Sequence, residues 1–181
     1  MSLTDHAQEV KPLEEELSRI VRASFSPAAT PPPVEAERAC LGAVLLNPDR
    51  ALPLVRPVLE AVADPFAIGE HREVWRAICE LADAGVPVDL ATVCAHLRAH
   101  GGPLSPTDTQ LSGLSDASPT SANALYYARI VAAAARAREA VHTAELAAAC
   151  LRNGDTAAAA ALAARLSELT TADMDEGLVP S

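Results

Sequence analysis

Val34-Glu35-Ala36-Glu37-Arg38-Ala39-Cys40-Leu41-Gly42-Ala43-Val44-Leu45-Leu46 is the stretch from which the rest of the chain can be read. Ala36, Ala39, Cys40, Ala43, Val44 and Leu46 recur at helical spacing, and the helix they predict ends before Asn47-Pro48. Working outward, a second helix is expected over about 50–62, with Pro53 near its start, followed by a turn at Asp64-Pro65-Phe66. His71-Arg72-Glu73-Val74-Trp75 lies in a helix over about 69–84 that buries Val74, Trp75, Ile78 and Leu81. Gly85-Val86-Pro87-Val88 breaks it, and Asp89 caps the next helix, 90–100, by accepting from first-turn amides. Gly101-Gly102-Pro103 stops that helix, and a short one at 107–115 carries Leu111 and Leu114.

The longest helical pattern follows Ser118-Pro119, is capped by Thr120 or Ser121, and runs to about Arg152. Asn153-Gly154-Asp155 then turns the chain into a helix over about 156–171, with Leu162, Leu166 and Leu169 on one stripe. The fold class this predicts is all-α: a compact multi-helix orthogonal bundle followed by a long antiparallel helical hairpin. Its sections are an N-terminal arm and Pro-rich linker (1–33), a globular helical domain (34–118), the hairpin (119–172) and a tail (173–181). Within the arm, residues 5–23 read as an amphipathic helix, and 24–33 end in a proline tract that cannot continue it.

Composition supports the same class. Of 181 residues 50% are hydrophobic but only 3% aromatic, so alanine carries much of the apolar total and helices can approach closely. A net charge of −10 argues against strong nucleic-acid binding by this chain alone, which needs a basic face to displace counterions. Arg129, Arg136 and Arg138 read as a solvated face rather than a basic groove. The four cysteines, Cys40, Cys79, Cys94 and Cys150, never form a C-x-x-C pair and fall on apolar helical positions, as small buried hydrophobes do. With no signal-like apolar segment at the start and no run long enough for a bilayer, the expected setting is a reducing cytoplasm, away from membranes.

Candidate chemistry is thin. Lys11 is the sole lysine and sits between Val10 and Pro12, so no Gly-Lys-Ser/Thr phosphate loop exists in the sequence. His96 and His100 stand four apart like a zinc pair. Arg98 between them and the missing glutamate of H-E-x-x-H favour surface histidines near a helix end over a metal. His71 has no nucleophile or carboxylate constellation around it in sequence and reads as a capping or bridging residue. Glu35 and Glu37 read as first-turn charges complementing the helix dipole. Trp75 is expected in the core; of Tyr126 and Tyr127, one ring is expected to pack inward and the other to face out. No catalytic residue, cofactor or metal is expected.

With Asn123-Ala124-Leu125-Tyr126-Tyr127-Ala128-Arg129-Ile130-Val131, the segments quoted above stand in an order and spacing that resembles the N-terminal domain of DnaB-type replicative DNA helicases, over roughly residues 32–170. Pro65, where that family usually has an acidic residue, and the Pro-, Ser- and Thr-rich stretch 101–109 depart from it. The resemblance implies a non-catalytic assembly and docking domain in DNA replication. Its partners would be other copies of itself (a homodimer or hexameric collar), the C-terminal helicase-binding domain of primase, and a helicase motor domain, whose ATPase is absent from this chain. Self-association would use the hairpin through Ile130, Val131, Ala134, Val141, Leu151, Leu162 and Leu166. Charged residues at 162 and 166 would then weaken assembly before unfolding the globule. The alternative is a free-standing phage- or plasmid-type regulator that binds a host helicase or primase.

Overall fold

A computed structural model describes residues 33–118 and 120–175, with side chains described as far as Thr170. The helix expected over 5–23 lies outside the described residues. Seven α-helices and one 3₁₀ turn make up the described chain, and it contains no strand among those residues: α1 (Pro33–Leu46), α2 (Pro48–Glu60), α3 (Gly69–Asp83), α4 (Leu90–His100), α5 (Asp108–Ser115), the 3₁₀ turn Ser121–Asn123, α6 (Ala124–Arg152) and α7 (Thr156–Asp175).

α1 is the hub of the globular unit and packs against α2, α3, α5 and the 3₁₀ turn. The expectation of one buried face is corrected here. Ala36, Cys40, Leu41, Ala43 and Val44 are all fully buried, so α1 is enclosed on nearly every side. Small side chains make this possible, because they let neighbouring backbones come close. Gly42 is the tightest such place: a Cβ there would lie 2.2 Å from the Leu114 carbonyl oxygen on α5.

α2 starts earlier than predicted. Asn47 is its N-cap, the side-chain oxygen accepting from Arg50 N at 3.3 Å, and Pro48 takes the first turn, where a missing N–H costs nothing. Pro53 and Pro57 both lie inside α2. The predicted cap at Asp89 is present and forms a reciprocal box: its carboxylate accepts from Thr92 N at 2.8 Å, and Asp89 N donates to Thr92 Oγ1 at 2.9 Å. Thr107 and Gln110 form a second such box on α5.

The fully buried aromatic ring of the core is Phe66, while Trp75 is half-buried and tilted against it at 6.0 Å between ring centroids. Arg56 joins α2 to α3 through two hydrogen bonds to the Asp83 carboxylate, at 2.6 and 3.0 Å. Cys40 is buried; the other three cysteines are half-buried, and all four are free.

The globular unit ends at Ala135, past the boundary expected at 118, because Ala124, Ala128, Ile130 and Val131 of α6 belong to its core. The described part of the second unit is residues 136–175. There α6 and α7 form a hairpin around Ala140, Ala147, Leu166 and Leu169, with Ala144 and Leu162 packed alongside. At the turn, Asp155 N donates to Cys150 O at 2.9 Å and Gly154 N to Leu151 O at 3.0 Å. This is the paired pattern of a left-handed helix terminus, and Gly154 supplies the required φ of +78°. Asp155 then caps α7 by accepting from Ala158 N at 3.0 Å, and α7 runs on to Asp175, past the expected 171.

Candidate functional site

Two features could carry function, a buried polar junction in the globule and the outer face of the hairpin. The junction is built on Glu37. Rather than lying in solvent at a helix end, as its position in the sequence suggested, Glu37 is 1% exposed. Its carboxylate accepts from Ala67 N at 2.6 Å and Ile68 N at 3.3 Å, and meets His71 Nδ1 at 2.7 Å. A buried carboxylate is tolerable only when its oxygens are filled in this way. One side chain on α1 thereby fixes both the loop after Phe66 and the first turn of α3. His71 bridges helices, as its isolation in the sequence implied.

Beside this junction lies a cleft of about 380 Å³ lined by Arg38, Ile68, Glu70, His71, Pro106, Thr109, Gln110, Gly113 and Leu114. A larger, shallower groove of about 660 Å³ runs between the Pro48–Arg56 part of α2 and the Gly85–Val88 loop.

His96 and His100 belong to no group of three or more His, Cys, Asp or Glu side chains placed to hold a metal among the described residues. His96 Nε2 instead pairs with Glu80 Oε2 at 2.7 Å, and the two imidazole rings lie 4.7 Å apart. The hydrogen bond from His96, followed by that from Arg76, holds the Glu80 carboxyl below its ordinary 4.5. Arg76 does the same to Glu73. Burial pushes the Cys40 thiol up to about 12, with nearby Glu37 adding to it, and the Cys79 thiol up to about 11.

The seven residues chosen for self-association divide into two groups. Ile130 and Val131 are buried in the globular core, and Leu166 is 0% exposed inside the hairpin. All three serve packing within the chain, and a charge at Leu166 would break the hairpin itself. Ala134, Val141, Leu151 and Leu162 remain half-buried. On α6, Leu146 is 44% exposed and stood outside that set, and Tyr126 is 50% exposed. The signal for Leu146 was available: it lies about a third of a turn from the Ala140–Ala144–Ala147 stripe that faces α7. Tyr126 faces outward while Tyr127 is half-buried against the core, the division expected for this pair. Arg165 ties α7 to α6 through Glu139 at 2.9 Å.

A small helical globule followed by an antiparallel α6–α7 hairpin defines an all-α class of domain. The profile of the DnaB-like helicase N terminal domain matches residues 29–133, and the chain belongs to that family. Among solved structures, the N-terminal domain of DnaB helicase from Mycobacterium tuberculosis superposes with a TM-score of 0.61 at 31% identity, covering 76% of this chain and 95% of that one. Among curated proteins, the replicative DNA helicase DnaB of Geobacillus stearothermophilus is 39% identical over 126 residues, 66% of this chain and 26% of that protein. The replicative DNA helicase DnaC of Bacillus subtilis is 38% identical over 116 residues, 63% of this chain and 25% of that protein. The chain thus spans about a quarter of the length of the curated relatives it matches. No helix among the described residues is long and apolar enough to cross a membrane.

Proposed function

We propose that this chain acts in DNA replication, in the cytoplasm, as the non-catalytic assembly and docking domain of a replicative helicase. In this role the hairpin joins copies into dimers or a collar, and the assembled collar receives the helicase-binding domain of primase. The observation that carries the reading is coverage: the chain accounts for 95% of a solved DnaB N-terminal domain while matching only about a quarter of full-length helicases. The hairpin supports it, since Leu146 is 44% exposed and Val141 and Leu151 are half-buried without belonging to the α6–α7 seam. The regulator alternative gains nothing from these relatives, which are themselves helicases.

The test is calorimetric titration with the helicase-binding domain of primase from the same organism, alongside sedimentation of the chain alone. Saturable binding at a defined stoichiometry, with self-association weakened by Leu146→Asp, is the expected result. A folded chain that stays monomeric at high concentration and gives no heat with primase would overturn it.

A further inference from the structure

The hairpin has little inside it. Its core is Ala140, Ala147, Leu166 and Leu169, with Ala144 and Leu162 alongside, so half of the side chains in the seam are single methyl groups. A helix pair of about 40 residues stands at the lower limit of what a core supports without outside help. The two flanks of the seam differ. Counting about 100° per residue from Ala140, Glu139 and Leu146 fall to one side and Ala137, Val141 and Ala148 to the other. On α7, Arg165 marks the first flank by its ion pair with Glu139, while Ala163 and Thr170 turn to the second. The first flank carries the Glu139–Arg165–Glu168 ion network, and Leu146 and Arg165 are exposed on it. On the second, Ala137, Val141, Ala148, Ala163 and Thr170 are uncharged and half-buried, and valine is the largest aliphatic side chain among them.

The chain holds a segment of matching length and opposite character. Thirty-two residues precede Pro33, and among them Val10, Leu13, Leu17, Ile20 and Val21 make up one apolar stripe of the amphipathic pattern over 5–23. As a helix that segment spans about 28 Å, against about 26 Å for α6 from Arg136 to Arg152. It brings large aliphatic side chains to a flank that offers small ones, the pairing by which facing layers interdigitate. The tether also suffices. Ser24 to Pro32, with prolines at 27, 31 and 32, extends to about 28 Å, and a globule of this size has a radius of gyration of about 13 Å. α6 leaves the globule at Ala135, so the root of the hairpin is the next residue along the chain.

We propose that residues 5–23 dock on the uncharged flank of the hairpin of their own chain as a third helix, setting Leu13, Leu17 and Ile20 against Val141, Ala148 and Ala163. A second copy presenting the same flank would place alanine on alanine and bury far less per residue. The arm is also present at the effective concentration its short tether sets, whereas a second copy is not. Leu146 lies on the opposite flank and stays uncovered, so docking of the arm leaves that side of the hairpin open to other contacts.

Hydrogen–deuterium exchange of the full chain, read by mass spectrometry peptide by peptide, tests this. The amides of 8–21 exchange more slowly than a free peptide, by about tenfold or more, and keep that protection on dilution. Leu13→Asp with Leu17→Asp removes it and speeds exchange over 137–170 by a similar factor of about ten, while 36–131 is unchanged, which shows that the globule is intact. Val141→Asp releases the arm in the same way. Ala163→Glu, which reaches the flank from α7, does so too, so the outcome does not hang on whether α6 tolerates the first substitution. Leu146→Asp leaves the arm protected. Four results would each overturn the proposal: an arm that exchanges at free-peptide rates, protection indifferent to both Val141→Asp and Ala163→Glu, equal release by Leu146→Asp, or protection lost on dilution, which would assign the arm to another copy.

Discussion

Replacing Glu37 by alanine removes the one side chain that ties α1 to both the 67–68 backbone and α3. Three hydrogen bonds are lost, to Ala67 N, Ile68 N and His71 Nδ1, all made by a carboxylate that is 1% exposed. Bonds to a charged group contribute about 1.5–3 kcal/mol each, but the total is less than their sum because water recovers part of the two part-buried amides. Removing one member of a buried pair typically costs about 3–5 kcal/mol, and that is the loss expected here. Glu37→Gln keeps one carbonyl oxygen for the amides but points an NH₂ at a donor, so its cost is about 1–3 kcal/mol. Urea unfolding followed by circular dichroism measures both, and a double-mutant cycle with His71→Ala isolates the pair, with a coupling of about 1–3 kcal/mol. A Glu37→Ala protein that keeps its native spectrum and loses less than about 1 kcal/mol would refute the view that this carboxylate organises the junction.

Gly42→Ala should destabilise the globule by about 1–3 kcal/mol, despite alanine's better helix propensity. The reason is the 2.2 Å approach to the Leu114 carbonyl oxygen, and a raised denaturation midpoint would contradict it. Cys40 should resist thiol reagents in the native chain at mildly alkaline pH and label only on unfolding, since it is fully buried with its thiol pushed up to about 12. Mass mapping after timed alkylation reads this out, and rapid native labelling at Cys40 would count against it. Glu80 and Glu73 lie below the ordinary 4.5 in the folded state, so the stability they contribute is present above that value and is lost as pH falls through their folded values. Denaturation midpoints between about pH 7 and pH 3 should therefore drop at the acid end, and less steeply in Glu80→Gln. A variant curve parallel to the wild type would show that the His96–Glu80–Arg76 cluster contributes nothing to acid sensitivity.

Local signals in the sequence were enough to identify the helices, because each end carries its own chemistry. Asp89 with Thr92, Thr107 with Gln110, and Asn153-Gly154-Asp155 all act within a few residues, where spacing alone dictates which groups meet. Asn47-Pro48 was read as a stop when it is also a start, since a capping asparagine and an N-terminal proline look the same from either side. The order of the quoted segments was also sufficient to recognise the family.

What only the tertiary structure decided is which apolar faces are used up inside the chain. Periodicity marks Ile130, Val131 and Leu166 as members of a stripe but does not say what covers it. Packing assigns the first two to the globular core and the third to the α6–α7 seam, and leaves Leu146 exposed. Glu37 was misread for the same reason. Its three partners lie 30 to 34 residues away, and a charge in a first helical turn reads as solvent-facing until the chain folds across it. Burial is a property of what comes to lie opposite a side chain, and a one-dimensional pattern does not contain the opposite wall.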